Sequence, residues 1–172
     1  MRKTAKIVYT AITVSVALIL SYVETLIPIN FGIPGIKIGL ANVVTVTVLY
    51  LFGKKSAVCV CTLRIILSSL LFGTMLSFIY SASGAAFSLL GMILLKKTGK
   101  FGTVGVSAAG GILHNMGQLV AAVLVTQTPK IAYYIPVLVI SGTLTGVFIG
   151  MISSLLIQRL PKSAKFIFLD KK

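Results

Sequence analysis

The chain has 172 residues, with 16 Lys and Arg, 2 Asp and Glu, and a mean hydropathy of +1.06. Hydrophobic residues make up 57%, and adding the 16 Gly raises the share to about 66%, against about 45–50% in a soluble domain. This excludes a water-soluble globule. The net charge of +14 does not indicate a nucleic-acid partner, because the charges lie in short clusters between apolar runs and not on one basic face.

Carboxylates are almost absent from the sequence. Glu24 and Asp170 cannot form a paired-carboxylate acid/base site, nor an oxygen-rich Mg²⁺ site. Cys59 and Cys61 are two residues apart and would face different directions around a helix, so neither a metal site nor a disulfide is expected. We therefore predict no enzymatic activity, no metal and no cofactor.

Six apolar segments follow one another along the chain, and a membrane-spanning helix needs about 20 residues. They are residues 7–27, 38–52, 56–72, 75–95, 103–126 and 133–157. The breaks between them carry Gly, Pro or Lys, as connections between helices do. The first segment ends at Glu24 and Pro28 and not at a small-residue cleavage site, so it is not a signal peptide. The sequence predicts an all-α integral membrane protein, one domain of six transmembrane helices.

The distribution of Lys and Arg orients these helices. Thirteen basic residues fall on one side of the predicted bundle, Lys37 and Lys130 fall on the other, and Arg64 lies within a span. Both termini are therefore expected in the cytoplasm, with the protein multi-pass in the cell membrane. The basic tail, residues 158–172, either lies on the anionic inner leaflet or frays.

Small residues recur every four positions in several spans, which favours close packing of membrane helices. The last span carries Gly142, Gly146 and Gly150; the first carries Ala11 with Ser15, and Thr13 with Ala17 and Ser21. These rows serve either internal packing or docking against another membrane protein, for which the first span is the best candidate.

Polar side chains at bilayer depth are costly, and an ionisable one is a functional hypothesis by default. Arg64 lies midway along the third span, and Asn42, His114, Asn115 and Gln118 lie at the middle or outer half of theirs. We predict that these five residues line a cavity open to the outside, which binds a small ligand with hydrogen-bonding or anionic groups. Arg64 would be the anion partner, because its guanidinium matches carboxylate and phosphate.

A structural alternative exists for the same residues. In it Arg64 pairs with Glu24, and the amide side chains tie neighbouring helices together. The connection 28–37 is either a lid over the cavity or a plain linker.

A family resemblance is carried by IGLANVVTVTVLYLFGKK, TLRIILSSLLFGT, SASGAAFSLLGMILLKK and GVSAAGGILHNMGQLVAA. The chain resembles the membrane family known both as heptaprenyl diphosphate synthase component I and as the Gx transporter family. More widely it is similar to the substrate-binding S components of energy-coupling factor transporters. That resemblance implies an outward-facing ligand site and docking onto a transmembrane coupling subunit with two ATPase subunits. The docking motif of the first helix would fall on Ala11 and Ser15.

The two family names imply different chemistry, and the residues bear on the choice. The sequence has no aspartate-rich motif to hold Mg²⁺-diphosphate, so the chain is not itself expected to be a synthase. Val48 stands where a phosphate loop with Gly53 and Lys54 as its Gly-Lys pair needs its first Gly, so ATP hydrolysis would come from partners. We predict a substrate-binding subunit of an uptake transporter. The alternatives are a non-catalytic membrane subunit associated with heptaprenyl diphosphate synthase in quinone biosynthesis, and a channel or independent carrier.

Overall fold

The structure is a computed structural model that describes residues 2–26 and 39–160. In those residues the chain forms six α-helices and one 3-10 helix: α1 (Arg2–Leu26), α2 (Leu40–Leu51), α3 (Lys54–Phe72), α4 (Met75–Thr98), α5 (Thr103–Thr126), the 3-10 helix (Pro129–Tyr134) and α6 (Ile135–Arg159). The described residues contain no strand, which confirms the all-α prediction for them. The connection 28–37 and tail residues 161–172 lie outside the described residues, so the lid and tail hypotheses are not addressed.

Five of these helices are long and apolar enough to cross a membrane. The exception is α2, whose 12 residues extend about 18 Å, less than the roughly 30 Å of a bilayer core. Most of its side chains are buried among the other helices, and the buried Ser153 Oγ of α6 donates to the Val43 carbonyl over 3.2 Å. α2 is therefore a core helix enclosed by longer ones.

Several helix ends differ from the predicted spans. α1, α3 and α4 continue into flanking Lys and Arg residues, which favour helix and carry their charges on long apolar stems. α4 ends at Gly99, whose φ of +69° suits glycine at a helix C-terminus. The predicted break at 127–132 overlaps the 3-10 helix, because Pro129 is preset for the first residue of a helical turn.

Glycines allow α5 and α6 to pack backbone against backbone. A Cβ added to Gly146 would lie 2.7 Å from the Ala108 Cα, and one added to Gly150 would lie 2.7 Å from the Val104 Cα. A Cβ on Gly111 would lie 2.1 Å from the Gly142 carbonyl oxygen. The glycine row of the sixth span therefore faces α5, and this contact admits no larger side chain.

The two small-residue rows of α1 face different surroundings. Ala17 and Ser21 are buried and Thr13 is partly buried, so this row packs inside the bundle. Ala11 and Ser15 are exposed on the surface of the helix bundle, and the Ser15 hydroxyl donates to the Ala11 carbonyl over 3.0 Å. The row formed by Ala11 and Ser15 thus gives α1 an exposed surface of small side chains, and its one hydroxyl is already hydrogen-bonded within the helix.

Lys96 joins the last turns of α4 and α2. Its Nζ donates to the Leu49 carbonyl over 2.5 Å and lies 4.6 Å from the centroid of the Tyr50 ring. A cation is favoured at the negative end of a helix and over an aromatic face. The contact therefore anchors the short helix α2 at this end of the bundle.

We expect Lys96→Ala to lower the free energy of unfolding by about 1–2 kcal/mol, because both contacts are lost. Thermal unfolding of the purified protein in detergent measures the change. The neighbouring Lys97 is exposed and provides the control, since Lys97→Ala should leave the melting temperature unchanged. Equal effects of the two substitutions would contradict the anchoring role.

Candidate ligand-binding site

A polar cavity of about 80 Å³ lies where α1 and α3 end and α2 and α4 begin. All of the first five α-helices contribute to it. Its polar lining includes Ser21, Glu24, Asn42, Arg64, Ser68, Ser77, Ser81, His114 and Gln118. Four of the five predicted site residues, Asn42, Arg64, His114 and Gln118, are thus brought together from three helices.

Arg64 supplies the positive charge of the cavity. Its Nη2 lies 3.5 Å from the Asn42 Oδ1 and 4.0 Å from the Cys61 Sγ, and both separations are long for hydrogen bonds. Its Nε is buried and has no hydrogen-bond partner among residues 2–26 and 39–160. Since a guanidinium carries five N–H donors, Arg64 keeps unused donor capacity inside the cavity.

Glu24 contributes the carboxylate at the same cavity. Its Oε1 accepts a hydrogen bond from the backbone N–H of Gly39, the residue that precedes α2. Gly39 has a φ of +77°, which glycine adopts readily and which aims this N–H at the end of α1. A carboxylate is favoured at a helix N-terminus, so Glu24 links α1 to the start of α2.

His114 and Gln118 are one turn apart on α5 and reach the cavity across α4. A Cβ on Gly84 of α4 would lie 2.9 Å from both the His114 Cε1 and the Gln118 Cγ. The missing side chain at Gly84 is therefore what allows these two side chains to lie against the α4 backbone.

Asn115 is placed between helices and not at the cavity. Its Nδ2 donates to the Leu138 carbonyl over 2.8 Å and to the Ser141 Oγ over 3.2 Å, both on α6. One residue turns a helix by about 100°, so a neighbour of the cavity-lining His114 faces α6 instead. For Asn115, the structure agrees with the alternative in which an amide ties two helices together.

Asn115→Ala should lower the free energy of unfolding by about 1 kcal/mol, the usual scale for hydrogen bonds between membrane helices. Ligand binding should be unaffected, because the side chain does not line the cavity. Ser141→Ala is the matched control and should cost less, since the Leu138 carbonyl still accepts from Asn115. Thermal unfolding measures both changes in stability. If neither variant differed in stability from the wild type, the interhelical role of Asn115 would be contradicted.

Sequence reasoning missed three serines at the cavity. Ser21 is 8% exposed, and its Oγ has no hydrogen-bond partner in the described part of the chain. The spacing contained the signal: Ser21 precedes Glu24 by three residues, Ser68 follows Arg64 by four, and Ser77 precedes Ser81 by four. Ser21 and Ser68 therefore share a helix face with Glu24 and Arg64, and Ser77 shares one with Ser81, a fourth serine of the cavity lining.

The chemistry available in this cavity is binding by hydrogen bonds and charge. One guanidinium, amides, hydroxyls and an imidazole offer donors that suit an anionic group, and the Glu24 carboxylate adds acceptors. The described residues contain no group of three His, Cys, Asp or Glu that could hold a metal ion. At about 80 Å³ the cavity accommodates a carboxylate or phosphate group, whereas pockets for whole small molecules usually measure about 300–1,000 Å³.

Long apolar helices packed around a polar cavity define a multi-pass membrane protein. The chain belongs to the heptaprenyl diphosphate synthase component I family, whose sequence pattern matches residues 13–156. This confirms the family indicated by the four resembling segments, and the matched region contains every cavity residue named above. Comparison with curated proteins and with solved structures gave no match.

Proposed function

We propose that this protein is the substrate-binding membrane subunit of an energy-coupling factor type uptake transporter. It captures a small molecule from the outer side and has no enzymatic activity, cofactor or nucleic-acid partner of its own. The observation that carries the proposal concerns Arg64 and Ser21, two residues that line one cavity: the Arg64 Nε and the Ser21 Oγ are both buried and have no hydrogen-bond partner among the described residues. Buried polar groups are normally satisfied, so these two favour a ligand.

The proposal places six helices in the cell membrane with both termini in the cytoplasm. Lys and Arg cluster at the connections between α2 and α3 and between α4 and α5, where the positive-inside rule puts the cytoplasm. The cavity lies at the opposite ends of these helices, so in this orientation it would open outward. α2 counts as the sixth helix even though it is short, because its neighbours shield it from lipid.

The proposed partners are a transmembrane coupling subunit and two ATPase subunits, and the proposed docking surface is Ala11 with Ser15 on α1. Both residues are exposed, and large apolar side chains flank them, with Ile7 69% and Ile12 54% exposed. Small residues allow another helix to approach closely, and the Ser15 hydroxyl is already bonded within α1. Membrane lipid covers this surface when no partner is docked.

A second candidate function is favoured by the family description. In it the chain is a non-catalytic membrane subunit associated with heptaprenyl diphosphate synthase in quinone biosynthesis. The two functions predict different partners: ATPases in the first case, and a soluble prenyl synthase without ATPases in the second.

Co-purification of the tagged full-length chain from its native membranes tests the proposal. We expect ATPase subunits to be recovered with the wild type and lost with the double variant Ala11→Leu, Ser15→Leu, because larger side chains block close helix approach. Ala132→Leu, at an exposed alanine away from α1, is the matched control and should keep the partners. Recovery of a prenyl synthase without ATPases would support the second function instead.

A further inference from the structure

An apolar groove runs between α3 and α4, with a volume of about 420 Å³. Its walls include Cys61 and Ile65 of α3 and Phe78, Ala82, Ala85 and Leu89 of α4. The small side chains of Ala82 and Ala85 leave the space between the two helices unfilled. This groove is separate from the polar cavity, which none of these residues lines.

The groove is elongated along both helices. Its lining covers residues 58–66 of α3 and 78–93 of α4, which correspond to lengths of about 12 and 22 Å. An elongated apolar space of this kind suits a hydrocarbon chain.

The groove is open along its side. Val58, Ile66 and Leu90 are 45%, 39% and 63% exposed, so an occupant can enter from the hydrocarbon of the bilayer. Its lining is almost entirely apolar, with no charged side chain. A polar ligand has nothing to bind there.

The groove and the polar cavity adjoin at Arg64. Cys61 lines the groove, and its Sγ lies 4.0 Å from the Arg64 Nη2, which belongs to the cavity. On α4, Ser77 and Ser81 line the cavity, and the residues that directly follow them, Phe78 and Ala82, line the groove. A polar recess that contains the Arg64 guanidinium therefore adjoins an elongated apolar groove.

We propose that the ligand of this protein is a single-chain amphiphile, with an anionic phosphate or carboxylate head in the cavity and a hydrocarbon tail in the groove. This inference rests on the proposed function and names its substrate class. The cavity alone holds only the head, and the groove explains where the rest of the molecule lies. The tail enters from the bilayer while Arg64 and Ser21 bind the head.

The test uses the full-length protein in nanodiscs of zwitterionic phospholipid, with binding measured by native mass spectrometry. Dodecyl phosphate should bind one to one, and both inorganic phosphate and dodecanol should bind at least tenfold more weakly. Farnesyl phosphate in a parallel titration distinguishes an isoprenoid tail from a straight one.

Two variants locate the tail. Ala86 is exposed and lines the groove, so Ala86→Phe should fill it and weaken dodecyl phosphate binding at least tenfold. Leu94 is exposed on the same helix outside the groove, and Leu94→Phe is the matched control, expected to bind like the wild type.

The inference is overturned if inorganic phosphate binds as tightly as dodecyl phosphate, if Ala86→Phe binds like the wild type, or if no probe binds. Unchanged dodecyl phosphate binding in Arg64→Ala would also overturn it, because the head would then lie elsewhere. These outcomes concern the ligand class alone. The proposed function fails separately, when co-purification recovers no ATPase subunits.

Discussion

Gly111→Ala is expected to lower the free energy of unfolding by about 3 kcal/mol, which corresponds to a fall of about 6–12 °C in melting temperature. The new Cβ would lie 2.1 Å from the Gly142 carbonyl oxygen and 3.2 Å from the Gly146 Cα. Both are backbone atoms of α6, so no flexible side chain can move aside. The helices must separate, and the loss of packing spreads along the α5–α6 contact.

Gly105→Ala is the matched control on the same helix. Its Cβ would lie 3.7 Å from the Phe101 Cδ1, an ordinary contact distance, and alanine favours helix more than glycine does. This variant should therefore melt at or slightly above the wild-type temperature. Similar melting temperatures for the two variants in detergent would show that the α5–α6 backbone contact is looser than described.

Arg64→Ala is expected to weaken ligand binding about 10- to 150-fold, the equivalent of about 1.5–3 kcal/mol for hydrogen bonds to a charged group. Stability should stay the same or rise, because a charged side chain within the membrane is costly. The readouts are the occupancy of a small molecule retained through purification, measured by native mass spectrometry, and the melting temperature of the same sample.

Ligand occupancy and melting temperature, measured on the same sample, distinguish a role of Arg64 in binding from a role in stability. Arg64→Lys keeps the charge but loses the fork of donors, so its occupancy should fall between those of the wild type and Arg64→Ala. A large fall in melting temperature together with unchanged occupancy would instead make Arg64 a structural residue.

The sequence was most informative about the helices. The apolar segments and their Gly, Pro and Lys breaks predicted the approximate position of each α-helix, since bilayer thickness fixes how long an apolar segment must be. It did not predict how much shorter α2 is than its neighbours, because a helix buried by protein and one buried by lipid are equally apolar. Nor did it predict the 3-10 helix Pro129–Tyr134, where Pro and polar residues read as a break.

Part of the cavity lining was predicted. Placing polar residues along their spans grouped Arg64, Asn42, His114 and Gln118, and these four line one cavity. Asn115 was predicted to line the same cavity. Whether a side chain of α5 reaches the cavity depends on which helix it faces, because α4 lies on one side of α5 and α6 on the other. That arrangement is a tertiary contact, and helical spacing alone cannot distinguish the two sides.

Ser21 is the opposite case. Its place in a row of small residues indicated helix packing, and it is indeed buried within the bundle. The structure adds that Ser21 also lines the cavity and that its hydroxyl is buried without a partner among the described residues. Small hydroxyl residues serve both packing and binding, so only their surroundings separate the two roles.

The most direct test of the central claim is the accessibility of the cavity from outside the cell. In a background with Cys59 and Cys61 replaced by alanine, Ser77→Cys places a single thiol at the cavity, and Lys97→Cys places one at the lysine-rich end. A membrane-impermeant maleimide added to intact cells should label Ser77→Cys, whereas Lys97→Cys should react only after permeabilisation. Labelling of Ser77→Cys solely in permeabilised cells would contradict an outward-facing cavity, and with it the capture of a ligand from outside.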